Sequence, residues 1–259
     1  MPRCSEIGRI LVAWFALLAV ADRAQGQFYD AVDRYPSGGK LVTIECYAPR
    51  LPGRYPAVIL LHGSGGLEQA TGAVFREIAA ALAGRGYVTF IPHIFEKTGH
   101  KVGAPFRDGE YESWTAAVTH AMDFAAKLPN VDADKFGFIG YSMGSNIATN
   151  LSTRDLRIKA LVNVSGAYPP GFPRKKIPPL LILHGSKDSS TPLPYLKKYQ
   201  EKLEELEIPH AVHIYKGKGH NFDAASFSDA TGRAAQFFDQ HLRLASNRPT
   251  GTDVSPSPR

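Results

Sequence analysis

The chain has 259 residues, a length that suits one large domain better than two ordinary ones. Hydrophobic residues make up 44% and charged residues 21%, so the composition supports a packed core and excludes an intrinsically disordered chain. The formal net charge is +6, but the longest basic runs are short, at residues 174–176 and 197–198, as on an ordinary solvated surface. We therefore expect no nucleic acid among the partners.

The N-terminal segment has the order of a secretory signal peptide. Two arginines precede an apolar run over residues 10–20, and small residues follow it. We expect residues 1–26 to be a signal peptide, cleaved after Ala21 or Gly26, and the protein to be secreted or periplasmic. An uncleaved membrane anchor is the alternative. The run is shorter than the roughly 20 residues of a permanent membrane helix, so no integral membrane domain is expected after cleavage.

From residue 40 onward, short apolar runs alternate with longer amphipathic ones, which is the pattern of βαβ units. Strands are predicted at 41–47 (an early edge strand), 57–61, 87–91, 136–139, 160–164, 180–183 and 210–215. Helices are predicted at 74–82, 111–128, 144–153, 193–206 and 226–242. The sequence thus predicts one α/β domain over residues 27–245, with a mostly parallel, doubly wound sheet and helices on both faces. A disordered tail, rich in Pro and Ser, is expected over residues 246–259.

Residues 140–144 read Gly-Tyr-Ser-Met-Gly and match the G-x-S-x-G pattern. The pattern follows a predicted strand and precedes a predicted helix, which is the context in which its serine is a nucleophile. Ser142 is then expected on a tight turn in a strained backbone conformation, and side chains at 140 and 144 would collide across that turn. A glycine-flanked turn that merely contains a serine is the alternative interpretation.

A serine hydroxyl needs a base within hydrogen-bond reach. His220 follows the last predicted strand, just after the flexible positions Gly217 and Gly219, and is the candidate base, since an imidazole can take and return a proton near neutral pH. His62 and His184 precede glycines at strand ends and are interpreted as bracing loops. His93 and His100, in the loop at 93–109, are candidates for contact with substrate.

The base in turn needs a carboxylate that fixes its tautomer. Asp188 follows the strand at 180–183, and the order Ser142, Asp188, His220 is the one expected of an α/β-hydrolase. The rival is Asp223, whose closeness to His220 in the sequence favours a helix N-cap. A polar turn is the alternative role for Asp188 itself.

Negative charge that develops on an acyl oxygen needs fixed N–H donors. The backbone N–H of Met143 is one candidate, and the glycine-rich segment 62–66 supplies the second, at Ser64 with Gly65 as the alternative. Phosphate binding is the competing interpretation of this segment, but the Lys-Ser/Thr ending of a P-loop is absent. The histidines have no metal-binding spacing, so we expect neither a metal nor an organic cofactor.

Four motifs together resemble the dienelactone hydrolase family: residues 62–66, 140–144, 184–192 and 219–222. The resemblance covers residues 40–243 and implies an α/β-hydrolase fold without a large lid domain, in keeping with the short segment after the strand at 160–164. It assigns triad roles to Ser142, Asp188 and His220, and oxyanion roles to the N–H groups of Ser64 and Met143.

The chain departs from the name-giving enzymes at two positions. Those enzymes have a cysteine where this chain has Ser142 and a glutamate where it has Gly63. The resemblance therefore implies a serine carboxylesterase-like enzyme that cleaves an ester or lactone of a small molecule. Two alternatives are a prolyl-oligopeptidase-like serine peptidase, a type that usually carries a propeller domain ahead of the catalytic one, and a non-catalytic hydrolase-fold binding protein. The intact set of triad residues argues against the last.

Overall fold

The computed structural model describes residues 28–167 and 177–243, and their strands form a single eight-stranded sheet. The strand order is β1-β2-β4-β3-β5-β6-β7-β8. The strands are β1 (Phe28–Ser37), β2 (Lys40–Pro49), β3 (Tyr55–Leu61), β4 (Val88–Pro92), β5 (Val131–Tyr141), β6 (Ile158–Val164), β7 (Leu180–Gly185) and β8 (His210–Tyr215). β2 pairs antiparallel with β1 and β4, and all other pairs are parallel.

Helices connect the parallel strands and cover both faces of the sheet. They are α1 (Gln69–Gly84), α2 (Glu110–Ala125), α3 (Met143–Ser152), α4 (Leu193–Glu205) and α5 (Ala224–Phe238), with a 3-10 turn at Ile94–Lys97 and a π-helical turn at Asp239–Arg243. Trp114, Ile147 and Tyr199 bring α2, α3 and α4 into one core. Leu82 and Phe238 bring α1 and α5 into the core on the other face. The predicted doubly wound α/β fold is confirmed.

The first hairpin is where the prediction was wrong. The run at 41–47 belongs to β2, which lies between β1 and β4 and is not an edge strand. The edge strand on this side is β1, which was not predicted because Asp30, Asp33 and Arg34 interrupt its apolar residues. Its signal was the Gly38-Gly39 pair, whose positive φ angles of 49° and 79° fit a two-residue hairpin turn.

Each described helix contributes buried side chains to one of the two cores, so the described residues contain no separate lid domain. Residues 168–176, in the connection between β6 and β7, lie outside the described ranges. The predicted signal peptide at 1–26 and the predicted tail at 246–259 lie outside them as well. Among residues 28–167 and 177–243, no helix has the length and apolarity that a membrane span requires.

Candidate active site

The turn between β5 and α3 holds Ser142 in a conformation that few non-glycine residues adopt. Its φ is 51° and its ψ is −117°, so the backbone is strained and the side chain projects from the strand end. A Cβ on Gly140 would lie 2.4 Å from the Cα of Ser145, across the turn, as expected. A Cβ on Gly144 would instead lie 2.2 Å from the carbonyl oxygen of Leu61, at the end of β3. Both glycines are therefore required by contacts with the backbone.

The fold brings the three predicted triad side chains into one chain of hydrogen bonds. Nε2 of His220 lies 3.0 Å from Oγ of Ser142, and Nδ1 of the same ring lies 2.9 Å from Oδ2 of Asp188. The ionised carboxylate only accepts hydrogen bonds, so Nδ1 carries the proton and Nε2 is left free to accept one from the serine. These residues follow β5, β7 and β8, so three strand ends meet at the carboxyl edge of the sheet.

Asp188 is held in its charged form by the turn around it. Its Oδ1 accepts hydrogen bonds from the backbone N–H of Ser190 at 2.9 Å and of Thr191 at 2.8 Å, and its Oδ2 accepts one from the Thr191 hydroxyl at 2.7 Å. Burial by itself would raise the pKa of this carboxyl, but the hydrogen bonds from Thr191 and His220 outweigh burial and lower it. His184 donates to the Thr191 carbonyl oxygen at 2.7 Å and braces the same turn.

The loop that carries His220 is held by Tyr141, the last residue of β5, and by Ser165, the residue after β6. The Ser165 hydroxyl donates to the carbonyl oxygen of His220 at 2.9 Å, and Ser165 is completely buried with a positive φ of 51°. The Tyr141 hydroxyl donates to the Asn221 side chain and lies 3.4 Å from the same His220 carbonyl. The imidazole is thus oriented by backbone anchors as well as by Asp188.

A cleft of about 880 Å³ opens above Ser142, between α2 and α3. Ser64 and Met143, the two predicted oxyanion residues, line this cleft together with Ser142. Met143 is the first residue of α3, so its N–H group belongs to the positive end of the helix dipole. Gly63 lies directly against the nucleophile, because a Cβ there would be 3.1 Å from Cβ of Ser142.

The other candidates from the sequence do not join the triad. Asp223 caps α5 by accepting a hydrogen bond from the backbone N–H of Ser226 at 2.9 Å, as expected of the rival carboxylate. His93 pairs with Glu45 at 2.8 Å, and His100 is buried. Neither histidine lines the cleft, so the expectation that they contact substrate is not supported.

His62 is buried, and its Nδ1 lies 2.8 Å from the Gly63 carbonyl oxygen, so it braces its loop as predicted. Burial is the main reason that its pKa falls to about 4.

Within the described ranges, no cluster of His, Cys, Asp and Glu side chains has the arrangement of a metal site.

Sequence reasoning missed the residues that position the triad. Ser165 and Thr191 both follow strand ends, where side chains of a parallel sheet meet at the binding edge, and this placement was the available signal. The positive φ of Ser165 could not be read from its residue type, because serine has no special preference for that conformation.

Comparison with known proteins agrees with this architecture. The model of the dienelactone hydrolase family matches residues 44–242. A carboxymethylenebutenolidase of Rhodococcus opacus is 24% identical over 206 residues, which cover 66% of this chain and 77% of that protein.

Two solved structures share the fold. The dienelactone hydrolase of Anabaena variabilis has a TM-score of 0.66 at 20% identity, covering 84% of this chain and 100% of that one. Esterase 2 of Thermogutta terrifontis, phosphorylated by paraoxon, has a TM-score of 0.67 at 18% identity, covering 85% of this chain and 97% of that one. Since the family model spans most of the sequence, the chain belongs to the dienelactone hydrolase family of the α/β-hydrolase superfamily, and this membership supports an ester or lactone hydrolase.

Proposed function

We propose that this protein is a serine carboxylesterase-like enzyme that cleaves an ester or lactone of a small molecule through an acyl-enzyme on Ser142. The observation that carries the proposal is the continuous hydrogen-bonded chain from Asp188 through His220 to Ser142 at the floor of an open cleft. Membership of a family of ester and lactone hydrolases supports the reaction class.

In the first half-reaction, Nε2 of His220 takes the proton of the Ser142 hydroxyl as its oxygen bonds to the acyl carbon. The carbonyl oxygen becomes an anion, which the backbone N–H groups of Met143 and Ser64 stabilise; one such donor typically contributes a factor of about 10²–10³ in rate. When the tetrahedral intermediate collapses, the bond to the leaving oxygen breaks, and His220 returns its proton to that oxygen.

In the second half-reaction, a water molecule attacks the acyl carbon and gives its proton to His220. The bond to Ser142 then breaks, the serine oxygen takes the proton back, and the carboxylic acid leaves. Asp188 keeps the imidazole in the required tautomer and stabilises its positive charge in both halves. For a lactone, the leaving oxygen stays attached to the acyl group, so one ring-opened product forms. Every proton is accounted for by water and the protein's own side chains.

The test is hydrolysis of p-nitrophenyl acetate and butyrate by the wild type, Ser142→Ala and Ser189→Ala. Ser189 is an exposed serine of the Asp188 turn and serves as the matched control. We expect Ser142→Ala to lose activity by several orders of magnitude and Ser189→Ala to retain it. Equal rates for the wild type and Ser142→Ala would refute the proposal, and faster turnover of peptide substrates than of aryl esters would favour a peptidase.

We also propose that residues 1–26 export the protein, from the positively charged, apolar and small-residue order of that segment. N-terminal sequencing of the protein recovered from the periplasm or the medium tests this. A mature N-terminus at Asp22 or Gln27 supports cleavage, whereas an intact N-terminus in the cytoplasmic fraction contradicts it.

A further inference from the structure

Phe106 lies at the mouth of the active-site cleft, in the loop between the 3-10 turn and α2. Its residue surface is 51% exposed. Among the described residues that line the cleft, it is the one large hydrophobic side chain that is exposed. An apolar ring left open to water beside a nucleophile gains free energy when an apolar part of a ligand covers it.

The inner side of the Phe106 ring is fixed by buried aromatic rings. Its centroid lies 5.3 Å from the ring of His100 and 5.2 Å from that of Trp114, with interplanar angles of 61° and 79°. Phe95 packs behind both rings at 4.6 and 4.7 Å. Trp114 is fully buried, so Phe106 is the outermost member of a four-ring cluster that extends from the core to the cleft.

Polar contacts hold the loop beneath this cluster. Nδ1 of His100 and the backbone N–H of Arg107 lie 2.9 Å from the buried carboxylate of Glu110, the first residue of α2. The Trp114 indole donates to the Thr98 hydroxyl at 3.0 Å. Because these contacts fix the loop on both sides of Phe106, its ring is in place before a ligand arrives, and little conformational entropy is lost on binding.

We propose that the exposed side of Phe106 is a binding subsite for an aromatic group of the substrate, so that the preferred substrates are aryl-bearing esters. Aromatic rings favour edge-to-face and offset geometries, which are worth about 0.5–1.5 kcal/mol beyond the area buried, or about 2- to 12-fold in binding. A saturated ring of similar size covers the same surface without this term. The inference rests on the proposed function, because it assigns a substrate class to the same nucleophile.

The test compares esters that differ only in the aromaticity of one ring. Benzyl acetate and cyclohexylmethyl acetate place the ring on the leaving group. Ethyl 3-phenylpropanoate and ethyl 3-cyclohexylpropanoate place it on the acyl group. The ratio of kcat/KM within each pair is measured for the wild type, Phe106→Leu and Phe106→Ala. Tyr195→Ala is the matched control, since Tyr195 is an aromatic residue of α4, 56% exposed, that does not line the cleft.

We expect the wild type to prefer the aromatic member of at least one pair by about 2- to 12-fold, and both Phe106 variants to lose that preference. The leucine variant keeps an apolar side chain, so its loss of preference cannot be attributed to an unfolded loop. A wild-type ratio near one in both pairs, or a ratio that survives in Phe106→Leu, overturns the subsite.

A failure of the proposed function gives a different result. In that case the esters are not hydrolysed at all, or Ser142→Ala hydrolyses them as fast as the wild type does. Hydrolysis that depends on Ser142 but shows no aromatic preference removes the subsite and leaves the proposed function standing.

Discussion

Substitution of Asp188 by Asn removes the negative charge of the triad acid but keeps the size and shape of its side chain. The backbone N–H groups of Ser190 and Thr191 both donate to Oδ1, so the asparagine carbonyl oxygen is expected to stay on that side. The amide NH₂ then takes the place of Oδ2, 2.9 Å from Nδ1 of His220. Because NH₂ only donates, Nδ1 must become the acceptor and Nε2 must carry the proton.

With the proton on Nε2, His220 can no longer accept one from Ser142. The corresponding change in a triad protease lowers kcat about 10⁴-fold, which corresponds to about 5 kcal/mol in the activation free energy. We expect a loss of this size in Asp188→Asn, with kcat and kcat/KM falling together. The folded state should lose only about 1–2 kcal/mol, because the two backbone bonds to Oδ1 change from charge-assisted to neutral. The Thr191 hydroxyl, which donates to Oδ2 at 2.7 Å in the wild type, must instead accept a hydrogen bond from the NH₂ group.

The assay is steady-state hydrolysis of p-nitrophenyl butyrate, with urea unfolding of the same preparations. Asp223→Asn is the matched control, since Asp223 caps α5 and is expected to leave kcat within about twofold of the wild type. A kcat for Asp188→Asn within tenfold of the wild type would refute the reasoning on tautomers. Equal losses in the two variants would make Asp223 a competitor for the acid role.

Further predictions concern the backbone, a buried carboxylate and the oxyanion loop. Gly144→Ala places a Cβ 2.2 Å from a carbonyl oxygen of β3, so it should lower the free energy of unfolding by about 3 kcal/mol and abolish activity. Gly232→Ala, in α5, places a Cβ in open space and should raise the free energy of unfolding by about 0.5–1 kcal/mol. Urea unfolding measures both. Glu45→Gln should lower the free energy of unfolding by about 1–2 kcal/mol at pH 7. Burial raises the pKa of the Glu45 carboxyl, but hydrogen bonds outweigh burial and lower it to about 2, so the charged form stabilises the folded state. Since the pKa of Glu45 is lower in the folded state than in the unfolded one, the stabilisation exists above pH 4.5 and is lost as the pH falls towards 2. A difference in unfolding free energy between the wild type and Glu45→Gln that stays constant over that range contradicts this account. Ser64→Ala keeps the backbone N–H and should retain kcat/KM within about threefold, while a loss of more than tenfold would implicate its hydroxyl.

The strand and helix pattern predicted the fold class because buried parallel strands have a strong local signal. The segment at 57–61 is apolar throughout, and the observed β3 contains it completely. β1 could not be found in this way, since Asp30, Asp33 and Arg34 interrupt its apolar residues. Its pairing with β2 is fixed by the Gly38-Gly39 turn, which is a local signal, and by the burial of Tyr35, which is a tertiary fact.

The reacting groups of the candidate site could be predicted from the sequence, but the residues that position them could not. Ser142 lies between Gly140 and Gly144, and His220 follows Gly219, each beyond the end of a strand. Chemistry limits which residue types can act as nucleophile and base at such positions. Their supports depend on distances between segments far apart in the sequence. The hydrogen bond from Ser165 to the His220 carbonyl oxygen spans 55 positions. The rings around Phe106 are closer in the sequence, between residues 95 and 114, but their contacts depend on how the loop folds back onto α2. No local pattern encodes such contacts.

The central claim is that Ser142 becomes acylated during turnover, and trapping that intermediate tests it most directly. The protein is reacted with p-nitrophenyl acetate, quenched in acid within the first turnover, digested and mapped by tandem mass spectrometry. We predict one acetyl group on the peptide that contains Ser142, at the serine oxygen, and none in Ser142→Ala or in heat-denatured protein. Acetylation at another residue in the active protein, or rapid turnover with Ser142 unmodified and Ser142→Ala still active, would contradict the account.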